Sequence, residues 1–293
     1  MRVKENFFGA NVISEIDISK EMLEELALAN TNMGLTVPGV QKKLSLHMSD
    51  DKAPRLTLLG LPAGYILKPQ TEEFSQLPES EDLVMDIAEM MGVKVVPHGI
   101  MDTAIGPAYI CKRIDREGTQ KYAMEDFCQL SGRLTEDKYK GSYEKCASVI
   151  RAYSMRVGFD MTEFYLRLLV SFITGNSDMH LKNFSMIETK PGSREYCLSP
   201  AYDLLPVNIV MPEDNEETAL TLNGKKSNIR RRDFLEFATN IGINDKAAHN
   251  MLDSVIGREN DAVDMCVEST LKKNAKNEMI RLIHSRTKIL KES

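Results

Sequence analysis

Residues 159–185 read FDMTEFYLRLLVSFITGNSDMHLKNFS. The first part is apolar on nearly all faces, which predicts a central buried helix rather than a surface helix. Asp160 or Thr162 could cap its start, with Glu163 completing an Asp160 capping box, and Gly175 would end it. The next eight residues contain two carboxamides, a carboxylate, an imidazole and an ammonium. This second part is therefore either a solvated turn or a site.

The composition of the chain restricts its class. Its 293 residues are 42% hydrophobic and 27% charged, as in an ordinary soluble globular protein. A net charge of −6 argues against non-specific nucleic-acid binding, which needs a basic face. Five cysteines without a CxxC motif predict reduced thiols. The sequence has neither an apolar leader nor a membrane-length apolar run, so we expect a cytoplasmic protein.

The character of the chain changes near residues 114–120. Short alternating segments precede this point, together with one helix, SEDLVMDIAEMMG, for which Ser80 is the expected N-cap. Helical patterns follow it, and three helices are expected from Arg232 onward. The sequence therefore predicts an α+β, two-lobed fold with a β-rich N-terminal lobe (residues 1–115) and a mainly helical C-terminal lobe (residues 116–293). Ligands commonly bind in the cleft between two such lobes.

The polar segment has the spacing of a protein-kinase catalytic loop, because four residues separate Asp178 from Asn183. In such loops the aspartate accepts the proton of the substrate hydroxyl, and the asparagine gives an oxygen to Mg²⁺. Lys182 could steady the transferred phosphoryl group. His180 is expected to hold the loop through hydrogen bonds rather than to bind a metal, because the other histidines have no ligand spacing. On spacing alone, a polar turn explains the segment at least as well.

Two further segments bear on this choice. Asp203 is the acidic residue of an otherwise apolar, strand-like run, SPAYDLLP, where it could bind a cation or cap a turn. Lys68 in GYILKPQ could hold the phosphates of ATP, and Glu81 could pair with it. The alternatives are a solvent-exposed lysine and a first-turn acid that interacts with the helix dipole.

Two other stretches are ambiguous. LTVPGVQKKL contains one glycine, Gly39, and its Pro-Gly pair is typical of a turn before a strand rather than of a glycine-rich phosphate loop. In LTLNGKKSNIRRRDF, Asn223 and Gly224 predict a hairpin turn. Its basic residues are either a solvated face or a patch for an acidic partner or nucleic acid.

Taken together, these segments resemble the HipA-like serine/threonine kinases, which are toxin components of bacterial toxin–antitoxin systems. The similar segments cover most of the chain and occur in the same order as in the family. TVPGVQKKLSL is similar to the phosphate-loop segment, YILKP to the ATP-lysine strand, and SEDLVMDIAEMMGVKVVP to the helix and strand that follow. AYICKRIDR resembles the strand between the lobes, MEDFCQLSG the E-D-x-C-Q segment, and GNSDMHLKNFS and SPAYDLLP the two signature motifs.

The resemblance implies ATP- and Mg²⁺-dependent phosphorylation of serine or threonine. It would make Asp178 the catalytic base, assisted by Lys182, with Asn183 and Asp203 as metal ligands. Known members autophosphorylate a serine in the phosphate-loop segment, where this chain has Thr36. The residues implied in nucleotide binding are Gly39, Val40, Gln41, Lys68, Lys112, Ile114, His180, Asn183 and Asp203.

The resemblance also implies partners. These are a protein substrate, such as an aminoacyl-tRNA synthetase, and a DNA-binding antitoxin; neither a membrane nor direct nucleic-acid binding is expected. Some 35 residues precede Thr36, so the chain resembles the short form of the family, whose N-terminal subdomain is a separate small protein. Two alternatives stay open: a metal-dependent phosphohydrolase built on Asp178, His180 and Asp203, and a catalytically silent partner of a DNA-binding repressor.

Overall fold

The chain forms two compact units. The computed structural model describes residues 15–16, 43–48, 55–57, 64–104, 106–118, 120–213 and 215–292. The first unit contains the described residues up to Asp82 together with Val96–Lys121, and the second contains Leu83–Val95 and the described residues from Tyr122 onward. Strands dominate the first unit and helices dominate the second.

A six-stranded sheet forms the centre of the first unit. Its strands are β1 (Glu15–Ile16), β2 (Leu44–Met48), β3 (Arg55–Thr57), β4 (Tyr65–Pro69), β5 (His98–Thr103) and β6 (Gly106–Lys112). The strand order is β1-β3-β2-β4-β6-β5, and all neighbours are antiparallel except the parallel pair β1 and β3. Leu67 of β4 lies between Leu44 and Ile110 in the register, and all three are buried. A two-stranded ribbon follows, formed by β7 (Arg116–Glu117) and β8 (Gln120–Lys121).

The first long helix, α1, spans Leu77–Met90 and begins three residues before its expected N-cap. Pro78 is tolerated in the first turn, where a backbone N–H has no partner within the helix in any case. Ser80 is therefore inside the helix and not its cap. Its side chain is buried, and Oγ donates to the carbonyl of Gln76 at 2.8 Å.

The second unit is mainly helical. Its further helices are α2 (Phe127–Leu130), α3 (Tyr143–Tyr153), α4 (Val157–Thr174), α5 (Val207–Val210), α6 (Arg231–Asn240), α7 (Asp245–Gly257), α8 (Glu259–Glu268) and α9 (Lys273–Lys291). An antiparallel sheet consists of β9 (Met124–Asp126), β10 (Ser185–Glu188) and β11 (Tyr196–Leu198). The expectation of three final helices is wrong, since residues 231–291 form four. A single residue without a proline signal, Arg258, separates α7 from α8.

Helix α4 is buried along most of its length, as its apolar pattern predicts, and it ends at Gly175 in the left-handed conformation (φ 70°). However, it begins at Val157, so neither Asp160 nor Thr162 is its cap. The fully buried carboxylate of Asp160 instead accepts hydrogen bonds from Ser154 Oγ and from the backbone N–H of Leu198, both at 2.7 Å. A residue expected to cap the helix therefore fixes a distant strand.

A second charged residue of α4, Arg167, is also fully buried. Its Nη2 donates to the carbonyl of Ser199 at 2.9 Å and to Glu163 at 3.3 Å. Burial lowers the pKa of Arg167, and the charge of Glu163 opposes this change. Glu163 also accepts from the backbone N–H of Lys94 at 3.0 Å, and the carbonyl of Lys94 accepts from Ala201 at 2.7 Å. These bonds hold the start of the SPAYDLLP segment against α4.

The expected hairpin turn is confirmed. Asn223 and Gly224 both have positive φ, as a tight hairpin turn requires. Lys225, beside the turn, is 39% exposed, and its Nζ lies 2.6 Å from the carboxylate of the buried Asp233.

All five cysteines are free thiols: Cys111, Cys128, Cys146, Cys197 and Cys266. Among the described residues, no helix is long and apolar enough to span a bilayer.

The role of Asp160 can be tested with a matched control. Asp160 and Asp245 both lie in the first turn of a helix, but only Asp160 is buried among donors. We expect Asp160→Asn to lower the free energy of unfolding by about 2–4 kcal/mol, because the amide cannot accept from all the donors that face it. Asp245→Asn should change it by less than about 0.5 kcal/mol. Urea denaturation measures both, and equal losses would show that Asp160 acts only on the helix dipole.

Candidate active site

Lys68 on β4 is buried, with a relative exposure of 3%. Its ammonium forms an ion pair with the carboxylate of Glu81 on α1, and Glu81 is fully buried. The same nitrogen lies 5.2 Å from the ring centre of Tyr109, which is opposite Lys68 on β6. Burial of two charges is tolerated only when they are paired, so a solvent-exposed lysine and a helix-dipole acid do not describe this pair.

The two other residues of this unit that were predicted to bind nucleotide lie apart from the pair. Lys112 is opposite Tyr65 at the end of β6, three register positions from Lys68. Because successive side chains of a strand point to opposite faces, the exposed side chain of Lys112 is on the other face of the sheet. Ile114 follows the strand and is partly exposed. The remaining predictions, Thr36, Gly39, Val40 and Gln41, lie outside the described residues.

In the second unit, the segment after α4 is an ordered loop rather than a solvated turn. The backbone N–H of Asn176 returns to the carbonyl of Ser171 at 2.8 Å, and Leu181–Asn183 form a short 3-10 helix. Asn183 is buried, and its Nδ2 donates to the backbone carbonyl of Asp178 at 2.7 Å. The carboxamide of Asn183 therefore closes the loop onto Asp178, the residue with which it forms the predicted catalytic-loop spacing.

Asp178 differs from its neighbours because its side chain is 42% exposed. Its Oδ1 accepts a hydrogen bond from the hydroxyl of Tyr139 at 2.7 Å. A carboxylate at the surface of an otherwise buried loop can meet an incoming hydroxyl group. The sequence contained no signal for Tyr139, because it lies far from Asp178 in the chain.

His180 holds the loop through its backbone rather than through its ring. Its N–H donates to the carbonyl of Asp178 at 2.8 Å, whereas its Nε2 lies 3.9 Å from the carboxylate, beyond hydrogen-bonding distance. The ring packs edge-on against Tyr139, with centroids 5.0 Å apart. Burial lowers the pKa of His180, and the charge of Lys138 acts in the same direction, while Asp178 and Asp203 oppose both. The ring is therefore neutral near pH 7.

Asp203 lies beside this loop but not in a strand. Its φ of 61° is left-handed, a conformation that aspartate tolerates better than most residues, so the strand-like interpretation is wrong at this position. The preceding residue, Tyr202, shares a hydrogen bond with Ser185 Oγ at 2.6 Å and donates to the carbonyl of Lys182 at 3.1 Å. These contacts join the two signature segments.

Lys182 has a partner that the sequence interpretation did not assign. Its Nζ lies 2.8 Å from Oδ2 of Asp126, the N-cap of α2. Asp126 belongs to MEDFCQLSG, one of the segments that carried the family resemblance. The resemblance of this segment is the signal from which a role for Asp126 could be predicted.

The side-chain oxygen atoms of Asn183 and Asp203 are of the kinds that bind a magnesium ion. Asn183 uses its amide nitrogen to bind the carbonyl of Asp178, so its amide oxygen is the atom that can serve as a ligand. Asp203 adds a carboxylate. Magnesium prefers oxygen ligands of these two kinds.

Comparison with known proteins agrees with this arrangement. Residues 35–263 match the family described as "HipA-like C-terminal domain". The chain belongs to this HipA-like family. A relative from Sinorhizobium fredii, named "Putative kinase Y4dM", is 35% identical over 207 residues, which cover 65% of this chain and 49% of the relative. The HipA-like chain therefore spans about half the length of that relative.

Solved structures establish the fold of this HipA-like chain. The structure of Shewanella oneidensis HipA with HipB and its operator DNA matches 86% of this chain and 64% of that chain, with a TM-score of 0.72 at 20% identity. The Helicobacter pylori proinflammatory kinase CtkA matches 87% of this chain and 90% of that chain, with a TM-score of 0.60 at 17% identity. The predicted α+β, kinase-like fold is confirmed.

The buried ion pair makes a specific prediction. We expect Lys68→Met to lower the free energy of unfolding by about 3–5 kcal/mol, because it removes the cation that pairs with the buried carboxylate of Glu81. The double variant Lys68→Met/Glu81→Leu should regain most of this loss. Urea denaturation of the single and double variants measures the coupling.

A surface pair serves as the control. Lys140 pairs with Asp137, but its side chain is 75% exposed, so Lys140→Met should have no measurable effect on stability. Equal effects of Lys68→Met and Lys140→Met would contradict the importance of burial. Additive losses in the double variant would contradict the coupling between Lys68 and Glu81.

Proposed function

We propose that this chain is an ATP- and Mg²⁺-dependent serine/threonine protein kinase. The observation that carries the proposal is the loop in which a half-exposed carboxylate, Asp178, is closed by the buried carboxamide of Asn183. The position of Asp203 beside this loop and the buried pair of Lys68 with Glu81 support it. Kinases use these residue types for phosphoryl transfer.

In the proposed reaction, Asp178 orients the hydroxyl of the acceptor and takes its proton as the oxygen attacks the γ-phosphate. Lys68 binds phosphate oxygens, and its pairing with Glu81 fixes the direction of the ammonium. Asn183 and Asp203 would hold Mg²⁺, which neutralises phosphate charge when bound. Lys182 stabilises the transferred group from its position beside Asp126. His180, neutral and packed against Tyr139, supports the loop.

The biological role that we propose follows the family. HipA of S. oneidensis is seen with HipB and operator DNA, which supports a DNA-binding antitoxin partner for this chain. We propose a component of translation, such as an aminoacyl-tRNA synthetase, as the substrate, together with a separate small protein partner. The family resemblance supports both of these proposals.

Labelled ATP distinguishes the kinase from other functions. Incubation of the protein with labelled ATP, Mg²⁺ and cell lysate should label one or a few acceptor proteins on serine or threonine. Asp178→Asn should slow this transfer by about a hundredfold or more, because it removes the base. Asp245→Asn, at an exposed position away from the loop, should leave the rate unchanged.

Two results would contradict the proposal. Full activity of Asp178→Asn would remove Asp178 from the reaction. Release of inorganic phosphate without any labelled acceptor would favour a phosphohydrolase instead.

A further inference from the structure

Tyr139 lies on the short segment that connects the 3-10 helix of Thr135–Asp137 to α3. The backbone of this segment is tied to the loop of Asp178, because the N–H of Leu181 donates to the carbonyl of Lys138 at 3.1 Å. Tyr139 directly follows Lys138, whose carbonyl accepts this hydrogen bond. The loop and the tyrosine are therefore held together by the main chain and not only by their side chains.

The Tyr139 side chain is directed at the candidate base. Its ring packs edge-on against His180, and its hydroxyl donates to Oδ1 of Asp178 at 2.7 Å. Tyr139 is 44% exposed, so water could satisfy its hydroxyl just as well. The backbone tie and the ring contact instead place it on the carboxylate that is proposed to accept the proton of a substrate.

A phosphate acceptor must present a hydroxyl group within hydrogen-bonding distance of the base that receives its proton. Tyr139 meets this requirement. Because it belongs to the same chain, it also has the advantage of an intramolecular reactant, whose effective concentration is high. We propose that Tyr139 is itself a phosphate acceptor, modified by Asp178 of the same chain. This inference rests on the proposed kinase function, extends its acceptors from serine and threonine to this one tyrosine, and adds a site distinct from Thr36.

The reaction would follow the same course as transfer to a protein acceptor. The phenol oxygen of Tyr139 forms a bond to the γ-phosphorus of ATP, and the hydroxyl proton passes to Asp178. The bond from the γ-phosphorus to the bridging oxygen breaks, and ADP leaves.

The surroundings of Tyr139 can receive the modified group. The Nζ of Lys138 lies 4.9 Å from the centre of the Tyr139 ring, where it can form an ion pair with a phosphate. The added negative charge repels the carboxylate of Asp178. The modified ring would therefore leave Asp178 and expose that carboxylate to other acceptors.

Mass spectrometry tests the inference on the full chain. After incubation with ATP and Mg²⁺, we expect a phosphate on Tyr139, formed at a rate per molecule that does not depend on protein concentration. Tyr139→Phe should abolish this modification, and Asp178→Asn should slow it by about a hundredfold or more. Tyr153 is the matched control, because it is 45% exposed and lies at the end of α3 rather than against the loop. It should stay unmodified.

The possible failures are distinguishable. If the wild-type protein labels other proteins while Tyr139 stays unmodified, the inference is wrong and the kinase function stands. Equal labelling of Tyr153, or a rate that rises with protein concentration, would also overturn it, since neither fits a directed reaction within one chain. If no protein is labelled at all, both the inference and the kinase function fail.

Discussion

The burial of helix α4 is the constraint on which the candidate active site of the second unit depends. This helix is apolar on most faces, yet it carries two fully buried charged residues, Asp160 and Arg167. Asp160 binds the backbone of Leu198, just before the SPAYDLLP segment, and Arg167 binds the backbone of Ser199, the first residue of that segment. The end of the helix at Gly175 sets the start of the loop that contains Asp178. One helix therefore positions both signature segments.

Buried charges are costly, and their locations indicate where rigidity is needed. Lys68 and Glu81 stabilise each other in the first unit, and Arg167 has Glu163 and a backbone carbonyl as partners in the second. Asp178, in contrast, is half-exposed on a loop held by buried groups. Rigid support around an accessible reactive group is what catalysis by positioning requires.

Much of this architecture could be predicted from the sequence. The buried helix, its end at Gly175 and the hairpin turn at Asn223 follow from apolar periodicity and turn chemistry, which depend on neighbouring residues. The N-caps assigned to Ser80 and Asp160 are wrong, because both helices begin three residues earlier. The Ser80 side chain bonds to the carbonyl of Gln76, and the Asp160 side chain bonds to the backbone of Leu198. The contact of Tyr139 with Asp178 could not be predicted, since it joins residues 39 positions apart without a local pattern.

The binding of ATP and Mg²⁺ tests the central claim most directly. Thermal unfolding should be measured with ATP alone, with Mg²⁺ alone and with both. A ligand at a hundred times its dissociation constant stabilises a protein by about 2.7 kcal/mol, so both together should raise the unfolding temperature clearly. Asp203→Asn should reduce the increase in unfolding temperature that depends on Mg²⁺. An unfolding temperature that does not respond to ATP and Mg²⁺ together would contradict the account.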